Sequence, residues 1–228
     1  MKKVSLTSRL LISAAISAAL AGCSSGPPVP DWKMNAQSSI ERFEAAYLNG
    51  KALVETSEFK RARDAISATG KIELVARLEL VRCATRVASL VFDDCGGFDQ
   101  LNQDAAPADR AYAAYLAGKA QAGDIALLPE PHRAAAGAGS EPAAAAAVAA
   151  IKDPLAQLVA AGVLFRSNRA SPALLATAVD TASAQGWSRP LLAWLGVQAL
   201  RARQAGDTQE AQRLRRRMDL VAGKDSAS

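Results

Sequence analysis

Histidine is nearly absent from this chain: among 228 residues there is only His132. One imidazole cannot build a histidine zinc site, and no nucleophile is visibly paired with it. His132 stands in Pro129-Glu130-Pro131-His132-Arg133, between prolines and an alanine run, and reads as a surface turn residue. Cysteine is also scarce, with three residues, which excludes a disulfide-dense miniature fold. Aromatic residues make up 5%. No G-x-S-x-G elbow, H-E-x-x-H pair or phosphate-cradling glycine loop occurs. No apolar run reaches the ~20 residues of a membrane-spanning helix. The expectation is a protein that is not an enzyme, with no metal, no cofactor and no evident small-molecule substrate.

What is present is apolar residues at 50% and charged residues at 21%, enough for a core in one domain or a run of repeats. The net charge of +5 is concentrated at the start. Setting aside Lys2, Lys3 and Arg9 leaves 24 Lys+Arg against 22 Asp+Glu, a net +2 that gives no reason to expect nucleic-acid binding. Those three cations open a segment, residues 1–22, with a basic start, an uncharged stretch LLISAAISAALA and small residues before Cys23. That is the layout of a cleaved secretory signal peptide. Its apolar part, about 12 residues or ~18 Å as a helix, is too short to span a bilayer.

Leu20-Ala21-Gly22-Cys23 resembles the lipobox of bacterial lipoproteins. The resemblance implies a diacylglycerol thioether on Cys23, cleavage before it and acylation of the new amino group. Several chains together give stable anchoring, where one would not. The residue after the cysteine is Ser24 rather than Asp, which by the same resemblance sorts the product to the outer membrane, facing the periplasm. Residues 24–31, SSGPPVPD, favour extended polyproline II and form, with Cys23, a tether (23–31) of about 25 Å at ~3.1 Å per residue.

From Trp32 to residue 222 the sequence predicts an all-α body. Alanine is nearly a quarter of the chain, no period-2 alternation stands out, and apolar residues recur at helical spacing, as at Ile40, Phe43 and Tyr47. Asp153-Pro154 and Ser171-Pro172 place capping side chains before proline, with Ser140-Glu141-Pro142 and Ser188-Arg189-Pro190 as variants. Gly50, Gly70, Gly118, Gly186 and Gly206 mark helix ends. Helices are expected near 36–49, 52–68, 72–91, 107–118, 142–152, 154–166, 172–185, 190–205 and 208–221, with residues 223–228 a disordered tail. The run 134–150 is alanine-rich and reads as a loop plus a thinly packed helix, or as a close-approach surface for a partner helix.

Ala45–Ala52 matches Ala113–Ala120 at seven of eight positions, 68 residues apart, which is twice the tetratricopeptide period. Trp194-Leu195, Ala199, Ala202, Gly206-Asp207 and Glu210-Ala211 also resemble a tetratricopeptide unit, with Ala202 where an aromatic is usual and no closing proline. This resemblance implies antiparallel helical hairpins stacked as an α-solenoid; an irregular bundle is the alternative, since 121–150 fits no repeat.

With Cys23 lipidated, Cys83 and Cys95 remain as an even pair in an oxidising compartment, and a structural disulfide is expected, two buried thiols being the alternative. Asp93, Asp94 and Asp99 lack the spacing of a calcium loop and read as solvated. Phe43, Tyr47, Phe59, Tyr112, Tyr115, Trp187 and Trp194 read as core knobs. Arg201, Arg203, Arg213, Arg215, Arg216 and Arg217 make the last hairpin basic. They form either a solvated face or a contact for an anionic partner, with Arg213, Arg215, Arg216 and Arg217 as its candidate residues. The function expected is a lipid-anchored scaffold binding an envelope protein; the alternative is a peptidoglycan- or anionic-ligand-binding lipoprotein.

Overall fold

The computed structural model describes residues 29–223; the expected signal segment, Cys23, Ser24, the first part of the expected tether and residues 224–228 lie outside them. The chain divides between Asp31 and Trp32, and the helical body is the second unit. The described residues hold α-helices and short 3-10 turns and no strand, so the body is all-α.

The helices are α1 (Asp31–Leu48), α2 (Ala52–Ser67), α3 (Ile72–Ala88), the single turn α4 (Gly96–Asp99), α5 (Pro107–Leu116), α6 (Glu130–Gly137), α7 (Glu141–Ala149), α8 (Pro154–Arg166), α9 (Pro172–Ala184), α10 (Ser188–Gln204) and α11 (Thr208–Val221). Local chemistry sets most boundaries. Ser140, Asp153 and Ser171 each accept a hydrogen bond from the backbone N–H three residues on, with proline in the first helical turn, and Asp207 does so for α11. Ser188 departs from expectation. α10 begins at Ser188, two residues before the expected 190, with Trp187 at its cap, and no side chain bonds there. α1 likewise starts at Asp31 instead of 36, its acid in the first turn facing the positive helix end.

The two octets that repeat at a distance of 68 residues are two copies of one helix ending. Gly50 N–H donates to Tyr47 O at 3.0 Å and Lys51 N–H to Ala46 O at 2.8 Å; Gly118 donates to Tyr115 O and Lys119 to Ala114 O, both at 2.8 Å. Both glycines are left-handed, at φ +71 and +70. This is the Schellman closure, in which a left-handed residue, here glycine, sits at the turn, and in both copies tyrosine and leucine of the last helical turn are buried. The two endings lead into different structure: α2 comes after the first, a 3-10 turn (Ala122–Leu127) after the second.

Two apolar clusters form the interior. The smaller joins α1, α2 and the first half of α3 around Phe43, Phe59, Ile66 and Leu78, with Phe43 and Phe59 edge to face at 5.4 Å. The larger runs from the second half of α3 to α11 and includes Leu80, Leu116, Leu158, Leu175 and Trp194. α3 therefore belongs to both. Buried acids pin α2, α3 and α5: Glu58 receives Arg42 at 2.9 Å and Arg61 at 2.7 Å, Glu79 receives Arg63 at 3.2 Å, and Asp109 receives Arg77 at 3.1 Å.

Candidate functional site

α8 decides which surfaces remain open. It packs on α3 on one side and on α9 on the other. The approach to α3 is close at Gly162, where an added Cβ would strike the Val87 carbonyl oxygen and lie 2.9 Å from Val87 Cγ1. Nearby, the Trp194 indole N–H of α10 donates to Ala88 O at 3.1 Å, and Phe165 bridges Trp194 (5.8 Å) and Phe92 (6.3 Å). The α3-facing side of α8 and α10 is thus filled by the same chain.

Open grooves lie instead along α7, α9 and α11. Helices α7 and α9 bound a groove of about 580 Å³ lined by Pro142, Ala145, Ala149, Pro172, Ala173 and Thr177. Between α9, α10 and α11 lies a second groove of about 410 Å³, where Val179, Asp180, Arg201, Arg213 and Arg217 converge and which shares Pro172 with the first. The alanine run and the basic hairpin, far apart in sequence, thus flank one helix, α9.

Within the hairpin, Arg213 donates through Nε and Nη2 to the Glu210 carboxylate at 2.6 and 2.7 Å. That pairing holds Glu210 below the usual carboxylate range. Arg215 lies 3.8 Å from Asp219. Both are exposed pairs within one helix, of little stabilising value. Among the described residues Arg216 and Arg217 have no ion pair; Arg216 is exposed and Arg217 half-buried. Arg201 donates to Ala170 O at 2.8 Å.

Cys83 and Cys95 are brought together as a disulfide, with Cα atoms 5.9 Å apart. Asp93 pairs with Arg86 at 3.1 Å, and Asp94 and Asp99 are exposed. Phe43, Tyr47, Phe59, Tyr115 and Trp194 are buried, while Tyr112 and Trp187 are half-buried against the larger core.

His132 corrects its expected place. It is 3% exposed, on α6, stacked on Tyr112 at 5.5 Å and tilted against Tyr115 at 5.1 Å. Proline misled here: Pro131 occupies the first turn of α6, a position where proline helps a helix start. Among the described residues, neither its Nδ1 nor the Tyr115 hydroxyl has a hydrogen-bond partner. Burial pushes His132 down to about 4, so its ring is neutral at pH 7. Close by, Glu44 of α1 is pushed up to about 7, chiefly by burial and then by the negative charges of Asp153 and Glu41. Burial likewise raises Tyr112 and Tyr115 above the ordinary phenol value. Burial thus favours the protonated form of Glu44 and the neutral form of His132. A sequence signal existed only in part, in the i, i+3 spacing of Tyr112 and Tyr115 on a helix; the arrival of Glu44 and Asp153 depends on tertiary packing.

Among the described residues no group of three or more His, Cys, Asp or Glu is placed to hold a metal, and no helix is long and apolar enough to cross a membrane. Searches against family models, curated proteins and solved structures return no match to this chain.

Proposed function

We propose that this chain is a lipid-anchored scaffold of the bacterial envelope, fixed through Cys23 to the periplasmic side of the outer membrane and binding another envelope protein. The leader and the LAGC motif support the anchor, and Ser24 supports the outer membrane. From α6 onward each helix packs on the next, and α6 on α8 and α7 on α9, an order that favours tetratricopeptide-like stacking over residues 130–184. The observation that carries the role is the pair of open grooves along α9, one shared with α7 and the other with α10 and α11. Stacked helices expose binding surfaces of this kind without any catalytic constellation.

The test is a photo-crosslinking amino acid at the exposed Ala176 on α9, compared with one at the exposed Lys60 on α2, in intact cells. A discrete adduct at 176, missing at 60 and lost in Cys23→Ala, is expected. Equal labelling at both positions, or none at 176, contradicts the scaffold.

A second reading, binding of peptidoglycan or another anionic ligand, is favoured by Arg216 and Arg217, which have no ion pair among the described residues. Sedimentation with peptidoglycan that disappears on neutralising Arg213, Arg215, Arg216 and Arg217 would decide for it.

A further inference from the structure

We infer that the α7–α9–α11 face receives an amphipathic α-helix of a partner protein, its apolar stripe on the alanine-lined groove and its acidic flank against Arg201, Arg213 and Arg217. This deepens the scaffold reading and rests on it.

The alanine-lined groove selects a helix. Its walls carry short side chains, Ala145 and Ala149 on α7 and Ala173 and Thr177 on α9, flanking about 580 Å³. Small residues let a helix axis come close, and larger side chains of the incoming helix fill the space between the walls. Laid along the α7/α9 groove, an amphipathic helix gains apolar burial on one stripe only, which is the helix-in-groove mode. A bilayer surface is too flat to enter a cleft between two helices.

The second groove selects the charge. Arg201, Arg213 and Arg217 line it with Asp180 and Glu210, and Glu210 already accepts two hydrogen bonds from Arg213. The surplus is positive. Two of the cations are also held in place, Arg213 by Glu210 and Arg201 by the Ala170 carbonyl, so less side-chain freedom is lost when a carboxylate arrives. The same surplus argues against a second copy of this chain, because a symmetric contact would set arginine against arginine.

The experiment measures fluorescence anisotropy with the full-length protein and three probes. The first is a labelled synthetic 18-residue amphipathic helix with a leucine-alanine stripe and a glutamate flank. The second is the same peptide with lysine for glutamate, and the third is vesicles of phosphatidylglycerol. Expected are saturable binding of the glutamate peptide and at least tenfold weaker binding of the lysine peptide. A loss of tenfold or more is also expected in Arg213→Glu/Arg217→Glu and, independently, in Ala176→Trp, each with unchanged helical circular dichroism. Should a variant unfold, Arg213→Gln/Arg217→Gln and Ala173→Leu take its place. No binding of the glutamate peptide, equal binding of both peptides, binding unaffected by the Trp substitution, or binding of the vesicles alone overturns the inference. If position 176 crosslinks to a partner in cells while the peptide fails, the scaffold stands and this inference falls. If both fail, the scaffold reading falls too.

Discussion

At the scale of single residues, the buried His132 and the half-buried Glu44 pull stability in opposite directions with pH. Between its ordinary value of 6.5 and about 4, His132 takes up a proton in the unfolded chain and refuses it in the folded one, so stability falls as the pH drops through that window. Glu44 does the reverse: the folded chain keeps a proton that the unfolded chain has released, so its contribution, complete below 4.5, is lost as the pH rises to about 7. Each slope is bounded by about 1.4 kcal/mol per pH unit. Urea midpoints from pH 7.5 to 4 should therefore show a shallower acid-side decline in His132→Phe and a shallower neutral-side decline in Glu44→Gln. Profiles parallel to that of the unsubstituted protein would contradict the burial of both groups. Gly162 makes a second residue-scale prediction. A methyl there collides with the α3 backbone, and Gly162→Ala should cost about 1–3 kcal/mol. Gly196→Ala, whose added carbon meets only Met218 Cε at 3.8 Å, should be neutral or stabilising by up to about 1 kcal/mol through helix propensity. Nothing adjacent to Gly162 in the sequence marks it as a crossing point, because the reason is a helix some 75 residues away in the chain.

At the scale of elements, what is governed by three or four neighbouring residues was legible. Serine or aspartate before proline closes an orphan amide locally, and α7, α8 and α9 start there. Glycine at a left-handed turn ends α1, α5, α9 and α10. Two helices instead end on side chains that tolerate this conformation less well, Leu90 at φ 59 and Asn168 at φ 56, and their ends carried no glycine to read. α6 was missed because its two prolines and terminal glycine look like turn chemistry when its tertiary contacts with α7 and α8 are unknown. The caps make a paired prediction. Ser171→Ala should cost about 1 kcal/mol, since its hydroxyl accepts the Leu174 N–H, whereas Ser188→Ala should change stability by less than about 0.5 kcal/mol. Thermal unfolding of the two variants checks this, and equal losses would contradict the observed start of α10.

At the scale of the molecule, the all-α class follows from periodicity and composition, but the arrangement does not. The 68-residue spacing suggested a period; in the fold those octets supply the same stop to helices with different sequels. The alanine run and the arginine hairpin each had a bland local reading, and only the packing of α7 and α11 beside α9 makes them neighbours. The Cys83–Cys95 bridge, closing a loop across a sequence separation of 12, should contribute about 3 kcal/mol. Unfolding by urea with and without a reductant measures it, and no difference between the two would mean the thiols are free. The proposed anchor and partner both presuppose export through the leader, to a compartment in which that bridge can form. The most direct test is metabolic labelling with palmitate followed by membrane fractionation, with Cys23→Ala as control. A lipidated Cys23 predicts label on a product shortened by 22 residues, in the outer-membrane fraction, and none in the variant. An unlabelled chain in the cytosol with Met1 still attached would contradict the anchor and with it the scaffold.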